Sequence, residues 1–423
     1  MTCADDLVFF STAGLDFSKP GFTCFGIRNT VALGERHGVF VLEPSSALEN
    51  AMPHTAPAAR YLEKPPRALM LEAGAILEGD ECYTDSDFLF DRATALKLLS
   101  VLDACREDVV SHEVDAYGDF LHALGSQATT DYIDVDQPAP GLRAVRLALA
   151  AALKSVPLQV CVLNPGVFIH IGTMPEYLEH LTRGLEVLGG KRHLLNGWTH
   201  PSGEVECASP QWPETCILHS IIESPKAETV GKGCVVEFCR FAAGASIGFG
   251  SIGSGLRVPA GVKLPSECFQ MTTAVCPQNT SWAKTRPNHV STSASAYVTP
   301  MLNVRDNPKG GIGCTVLGVE LGLAFERLGL TEEQVWQSGP KTLWSARIFP
   351  VKWSPEDSLM ASLETLQVIQ GIKPSPTTRI PRASLAELVK AKDLTYEVAF
   401  YYILLFWSII LSLPPTPPPS PHI

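Results

Sequence analysis

From Cys216 to Gly255 the chain reads "CILHSIIESPKAETVGKGCVVEFCRFAAGASIGFGSIGSG", with small or β-branched residues at near six-residue spacing. Val230, Val236, Phe241, Ile247 and Ile252 mark the steps, and Gly231, Gly233, Gly244, Gly248 and Gly250 fall where the chain would turn. A repeat this short cannot bury an apolar face alone. It must stack on its neighbours, one short strand per face. The expectation is a left-handed β-helix-like domain over 216–315, with Val230, Val236 and Ile247 pointing inward. Acyltransferases are also built on such coils; they need a histidine at a coil interface, and His219 is the candidate here.

The preceding residues have a different texture. "GVFVLE" (38–43), "ECYTDSDFLF" (81–90) and "LQVCVLNPGVFIHIG" (158–172) are rich in β-branched and aromatic residues and read as strands. "DRATALKLLSVLDACRE" (91–107) places Leu96, Leu99 and Leu102 at helical spacing, and "DAYGDFLHALG" (115–125) reads as a shorter helix ended by Gly125. Alternating strands and helices predict an α/β sheet over 1–215. Residues 44–66, rich in Pro and Ala, read as a surface loop.

After the coil, 266–315 is rich in Ser, Thr and Asn. A mixed α/β region is expected over 316–394: helix over 316–336, strand over 342–351, a helix capped by Ser354, and a last helix in "SLAELVKAKDL". Residues 395–423 form a tail. Val398 to Leu413 is an uncharged run of sixteen residues, short for a bilayer span, followed by "PPTPPPSPHI". It reads as a foreign, splice- or read-through-derived ending. The other reading is a C-terminal anchor with Lys390 and Lys392 on the cytosolic side.

Composition narrows the function. With 33 Lys plus Arg against 44 Asp plus Glu, the net charge of −11 argues against a nucleic-acid partner. Twelve cysteines occur without a C-x-x-C pair, which fits reduced, buried thiols in a cytoplasmic protein. The acidic start, Asp5 and Asp6 with no basic stretch before them, does not read as a signal peptide.

Four constellations could carry chemistry. Asp5 and Asp6 beside the apolar strand "LVFF" could hold a magnesium ion that bridges phosphates; alternatively they form a solvated turn. In Glu63-Lys64-Pro65, Lys64 offers a compact cation to a sugar phosphate and Glu63 accepts from sugar hydroxyls; the bland reading is an exposed loop. "FIHIGTMPEYLEHL" is a strand, a glycine turn and a helix start, with Thr173 and Glu176 spaced as a capping box. Asp115 and Asp119 share a helix face, where they could meet a metal or sugar hydroxyls, or simply complement the helix dipole.

In their order, these stretches resemble the second half of a sugar-nucleotide pyrophosphorylase. "TCADD" (2–6), "SKPGFT" (18–23), "HGVFVLEP" (37–44), "YTDSDFLFD" (83–91), "EVDAYGDFLHALG" (113–125), "HIGTMPEYL" (170–178), "VVEFCRF" (235–241) and "LWSARIFPV" (343–351) are similar to the fucose-1-phosphate guanylyltransferase (GDP-fucose pyrophosphorylase) family. The resemblance implies a partial Rossmann-like nucleotidyltransferase domain, the substrates GTP and L-fucose 1-phosphate, Mg2+ as cofactor, and a cytoplasmic enzyme that can be a homo-oligomer through its coils. It implies catalytic roles for Asp5, Asp6 and Lys64, with Asp5 and Asp6 on the metal. Substrate contacts would come from Glu63, Lys64, Asp115, Asp119, His170, Gly172 and Thr173. Many sugar-nucleotide pyrophosphorylases have Asp where this chain has His170, so His170 is a sugar or phosphate contact or a structural histidine, and the second metal ligand stays open. The family's glycine-rich triphosphate loop precedes its carboxylate pair, whereas this sequence starts at Met1. An N-terminally truncated form with little activity is therefore expected, its carboxylate strand normally central in a parallel sheet. The other function class is a non-catalytic module that binds sugar nucleotide or oligomerises.

Overall fold

The computed structural model describes residues 2–3, 6–10, 18–44, 54–84, 87–112, 114–135, 137–163, 166–183, 196–199, 205–207, 214–226, 228–277, 280, 282, 284, 286–287, 290–291, 294–311, 313–336, 340–375, 380–393 and 396. Asp5 and the run 398–413 lie outside them. The chain divides into two compact units, Met1–Ile171 and Gly172–Ile423, and both mix strands with helices.

The first unit contains strands β1 (Thr2–Cys3), β2 (Asp6–Phe10), β3 (Phe22–Thr30), β4 (Gly38–Leu42), β5 (His54–Glu63), β6 (Glu81–Thr84), β7 (Phe88–Phe90), β8 (Leu158–Leu163) and β9 (Gly166–His170). Its helices are α1 (Val31–Gly34), α2 (Arg67–Ala73), α3 (Arg92–Ala104), α4 (Arg106–Ser111) and α5 (Pro140–Leu153). Six strands form one sheet in the order β6-β4-β5-β8-β3-β7, in which the β3–β8 ladder alone is parallel among the described residues. A parallel pair needs a long crossover, and α3, α4 and α5 lie within it. The middle strands bury both faces. Phe22, Phe40, Tyr61 and Val160 pack on one side, and Phe25, Ile27, Cys161 and Leu163 on the other. The strand opening at Asp6 is not central in a parallel sheet. It sits in a separate antiparallel sheet of order β1-β2-β9.

Three further sequence expectations fail in this unit. The expected loop over 44–66 contains β5, paired to both β4 and β8. Its small residues fit because Ala56, Ala58 and Ala59 are buried between layers, and Pro57 is tolerated beside a register shift opposite Leu42. On α3 the buried stripe is Thr94, Leu98, Val101 and Cys105, while Leu96 and Leu99 remain 53% and 52% exposed. The stretch 115–125 is not a regular α-helix. Ala116–Phe120 forms a wide turn with i→i+5 bonding, and Leu121–Ala123 a 3-10 turn.

The second unit opens with α6 (Met174–Thr182), β10 (Asn196–Thr199) and β11 (Val205–Cys207). The repeat then supplies β12 (Cys216–Ile222), β13 (Val235–Glu237), β14 (Arg240–Phe241), β15 (Ser246–Ile247), β16 (Ile252–Ser254), β17 (Arg257–Val258), β18 (Lys263–Leu264) and β19 (Cys268–Met271). Strands on each face pair in parallel with the next coil, as in Val235↔Ile252, Arg240↔Arg257, Ser246↔Lys263 and Ile252↔Phe269. These partners are 17 residues apart, because successive corners at Gly233, Phe238, Gly244 and Gly250 are five, six and six residues apart. One short side explains why the hexad repeat looks irregular. All four corners have positive φ, as do Gly255, Gly261 and Glu267 one coil further on. Val230, Val236, Phe241, Ile247, Val258 and Leu264 fill the interior. Gly231 and Gly248 serve a different need from the corner glycines: a Cβ on Gly231 would come 2.5 Å from Phe249 N, and one on Gly248 2.4 Å from Ser266 Oγ.

The rest of the unit contributes β20 (Thr273–Val275), β21 (Ala296–Val298), β22 (Met301–Asn303), β23 (Thr315–Val316), β24 (Val319–Glu320), α7 (Leu321–Leu328), α8 (Glu332–Val335), β25 (Phe349–Lys352), α9 (Pro355–Ile369), β26 (Arg382–Ala383) and α10 (Leu385–Ala391). The antiparallel strand β22 pairs with the last rung, and Leu359 and Leu366 of α9 join the coil core. Thus 172–215 and 316–393 belong to the same compact unit as the coil. The expected helix over 316–336 is a hairpin followed by α7 and α8, with Gly329 breaking it in left-handed conformation. The expected strand over 342–351 starts only at Phe349, because Pro340, Thr342 and Ser345 bond to one another in a turn. Ser354 caps α9 as expected, accepting from Asp357 N at 3.1 Å.

Candidate functional site

Strand β5 ends at Glu63, and the chain turns sharply at Lys64. Lys64 adopts φ +43°, a left-handed conformation that costs a side-chain-bearing residue about 1 kcal/mol or more. Its N–H donates to His37 O at 3.2 Å, and buried Pro65 follows. Its ammonium reaches Glu63 Oε1 at 3.2 Å but is 66% exposed, so the pair is weak and the cation remains presentable to an anion. The other oxygen of Glu63 accepts from the Tyr61 hydroxyl at 2.5 Å.

The Tyr61 ring leads to a residue that sequence reasoning missed. His122 meets it edge-on, with centroids 5.5 Å apart, and stacks on Tyr132 at 5.0 Å. His122 Nδ1 lies 2.8 Å from Gly118 O. A carbonyl can only accept, so Nδ1 carries the proton and Nε2 keeps its lone pair. Burial lowers the His122 pKa, opposed by the charges of Glu63, Asp131 and Asp119. The Tyr132 hydroxyl is buried with no hydrogen-bond partner among the described residues. This placement depends on Gly125, where φ is +98° and a Cβ would lie 2.3 Å from Ala59 O. The loop can therefore press onto β5, with Gln127 N donating to the same oxygen at 2.7 Å. No local spacing announces His122; its place comes from this tertiary contact.

The carboxylates of the same turn are otherwise engaged. Asp119, 2% exposed, binds Arg146 Nε through Oδ1 at 2.7 Å and accepts from Asp115 N through Oδ2 at 2.9 Å. Arg146 also donates to the carbonyls of Tyr132, Ile133 and Val135. Asp115 caps the turn, accepting from Tyr117 N at 2.9 Å. Asp119 therefore holds the turn together.

Asp6 and His170 are register partners across the β2–β9 ladder, so the backbone brings these two candidates opposite each other. Their side chains, like Asp5, lie outside the described residues. In the second unit, Thr173 caps α6. Its hydroxyl accepts from Glu176 N at 3.3 Å and donates to Glu176 Oε2 at 2.8 Å, so half of the expected box forms. Gly172 precedes it, exposed. On the coil, His219 has φ +46° and stacks on Phe238 at 5.2 Å. Among the described residues, no group of three His, Cys, Asp and Glu side chains could hold a metal ion. No disulfide joins the described cysteine side chains, and burial pushes Cys82 and Cys234 up to about 11, and Cys216 and Cys268 up to about 12. No helix among the described residues is long and apolar enough to cross a membrane.

A family model described as the fucose pyrophosphorylase domain matches residues 1–354. The chain belongs to the fucose pyrophosphorylase family. It is 30% identical to human fucose-1-phosphate guanylyltransferase over 438 residues, covering 95% of this chain and 68% of that protein. The mouse fucose-1-phosphate guanylyltransferase is also 30% identical, over 445 residues, covering 95% of this chain and 70% of that protein. In this family context, Glu63, Lys64 and His122 form the clustered polar group, and Asp6 and His170 the paired one.

Proposed function

We propose that the chain joins GTP to L-fucose 1-phosphate, giving GDP-L-fucose and pyrophosphate. The family match over residues 1–354 carries this reading. A sugar-phosphate oxygen attacks the α-phosphorus, forming a new P–O bond, while the bond from that phosphorus to the β-phosphate oxygen breaks in line. Such a reaction needs alignment and charge neutralisation from the protein. Lys64 is presented by its strained turn to the sugar phosphate, and Glu63 and His122 Nε2 accept from sugar hydroxyls. His170 contacts the sugar phosphate. Asp115 and Asp119 support this group by holding the turn that carries His122. Asp5 and Asp6 are consecutive carboxylates in the sequence, and carboxylate oxygens are the ligands Mg2+ prefers. Asp6 is in register with an imidazole-bearing residue, a poor magnesium ligand, so the donor set fits an ion held by Asp5, Asp6 and phosphate oxygens. Bound there, Mg2+ would offset charge on the triphosphate. The finer architecture we infer is a Rossmann-like nucleotidyltransferase unit, supported by the β3–β8 crossover, and a left-handed β-helix suited to homo-oligomerisation. A cytoplasmic location fits cysteines that are not joined in disulfides among the described side chains.

The test is chromatographic detection of GDP-L-fucose from GTP, L-fucose 1-phosphate and Mg2+, with Lys64→Gly as the diagnostic variant. Glycine relieves the turn, so stability should hold or rise while turnover falls at least about tenfold. Undiminished turnover in Lys64→Gly would remove Lys64 from the reaction. Tight GDP-L-fucose binding without turnover by the wild-type chain would favour the non-catalytic module.

A further inference from the structure

Tyr61 and Glu63 lie two residues apart on β5. Side chains alternate between the faces of a strand, so both stand on the same one. Their partners on β4 differ: Phe40 is opposite Tyr61, and Gly38 is opposite Glu63. The Phe40 and Tyr61 rings meet with centroids 5.5 Å apart, and Tyr61 is 2% exposed. Gly38 has no side chain with which to hold the Glu63 carboxylate.

That task falls to the Tyr61 hydroxyl, which donates to Glu63 Oε2 at 2.5 Å. An ionised carboxylate can only accept, so the direction of this bond is fixed, and the charge makes it stronger than a bond between neutral groups. The ring cannot follow the carboxylate if it turns. It is wedged between Phe40 and the edge-on His122 imidazole, whose centroid is also 5.5 Å away. The bond therefore selects one placement for a side chain that is 23% exposed, and leaves Oε1 as the oxygen beside Lys64. One residue thus touches both acceptors assigned to sugar hydroxyls, Glu63 through its hydroxyl and His122 through its ring. Lys64 is placed differently, by its own backbone turn and the bond from its N–H to His37 O.

We propose that Tyr61 is a positioning residue, whose buried ring and hydroxyl set the placement of Glu63 Oε1 relative to His122 Nε2 for the hydroxyls of the sugar. This rests on the reading of Glu63 and His122 as sugar contacts. An acceptor held in place before the ligand arrives loses less rotamer freedom on binding. Without the bond the Glu63 carboxylate swings on its stem, and a small displacement of a contact is enough to weaken recognition.

The experiment is calorimetric titration of the full chain with L-fucose 1-phosphate and, separately, with GTP plus Mg2+. Tyr61→Phe keeps the ring and removes the hydroxyl. It should weaken L-fucose 1-phosphate binding about tenfold and leave GTP binding unchanged. Glu63→Ala should weaken L-fucose 1-phosphate binding at least as much. Adding Tyr61→Phe to Glu63→Ala should cost nothing more, because the hydroxyl has already lost its acceptor. A hydroxyl with a merely structural role would show its loss in both backgrounds. Wild-type affinity in Tyr61→Phe overturns the proposal. So does a loss that carries over in full to the Glu63→Ala background, or one shared equally by GTP, which would indicate general loosening. Glu63→Ala separates the two readings. If it weakens sugar-phosphate binding while Tyr61→Phe does not, the sugar contact stands and the positioning role falls. If Glu63→Ala binds as tightly as wild type, or the wild-type chain does not bind L-fucose 1-phosphate, both fall.

Discussion

Both carboxylate oxygens of Asp87 lie inside the first unit without a hydrogen-bond partner among the described residues, and the residue is 5% exposed. Its backbone carbonyl accepts from Phe25 N at 2.8 Å. An unpaired buried charge costs more than an unpaired amide. Asp87→Asn should therefore stabilise the protein by about 1–3 kcal/mol at neutral pH. A lower melting temperature in that variant would show that the carboxylate has a role the geometry does not reveal. His122 yields a pH prediction. Its folded pKa is depressed by burial, so the unfolded chain takes up the proton first as pH falls. The contribution is complete above the unfolded value of about 6.5 and is lost as pH drops through the folded value. Chemical denaturation across that range should show His122→Gln with the flatter profile. At this scale the sequence was informative where a motif is contiguous. Glu63 and Lys64 could be picked out together because the turn is local. His122 could not, because only the press of Gly125 onto β5 brings it there.

Helix α3 shows how an element can be recognised and still be turned the wrong way. Leu96, Leu99 and Leu102 form one apolar stripe and Leu98, Val101 and Cys105 another, so periodicity alone could not choose. Packing against Val145 and Leu149 of α5 chose the second. Charged replacements at Leu96 and Leu99 should thus change stability by less than about 0.5 kcal/mol, whereas Val101→Ala should cost about 2 kcal/mol. Thermal melts of the three variants decide this, and a large loss at Leu96 or Leu99 would mean that the face is covered in solution. The coil was legible for the opposite reason: its glycines and aliphatics repeat locally, each coil supplying the next one's partner. Strand β5 was hidden because Ala and Pro carry little strand signal, and its place is fixed by neighbours far away in sequence.

Each of the two units has a core of its own. Phe22, Phe40, Tyr61 and Val162 anchor one cluster in the first, and the coil column and the α7–α9 cluster fill the second. Units with separate cores can unfold as separate cooperative steps. Calorimetry of the whole chain should then resolve two transitions, and residues 172–396 made alone should unfold cooperatively near one of them. Ile247→Ala, which opens a cavity in the coil column, should cost about 2–5 kcal/mol in that transition and leave the other fixed, because substitutions that share no packing partners do not couple. Val145→Ala in the first unit should do the reverse. Ligand provides a third lever. A compound that binds only folded protein raises the transition of whatever unit holds it, by an amount set by its concentration relative to Kd. If L-fucose 1-phosphate is held by Glu63, Lys64 and His122, it should raise the transition that Val145→Ala lowers. A single transition shifted equally by both core substitutions would show that the two units fold as one.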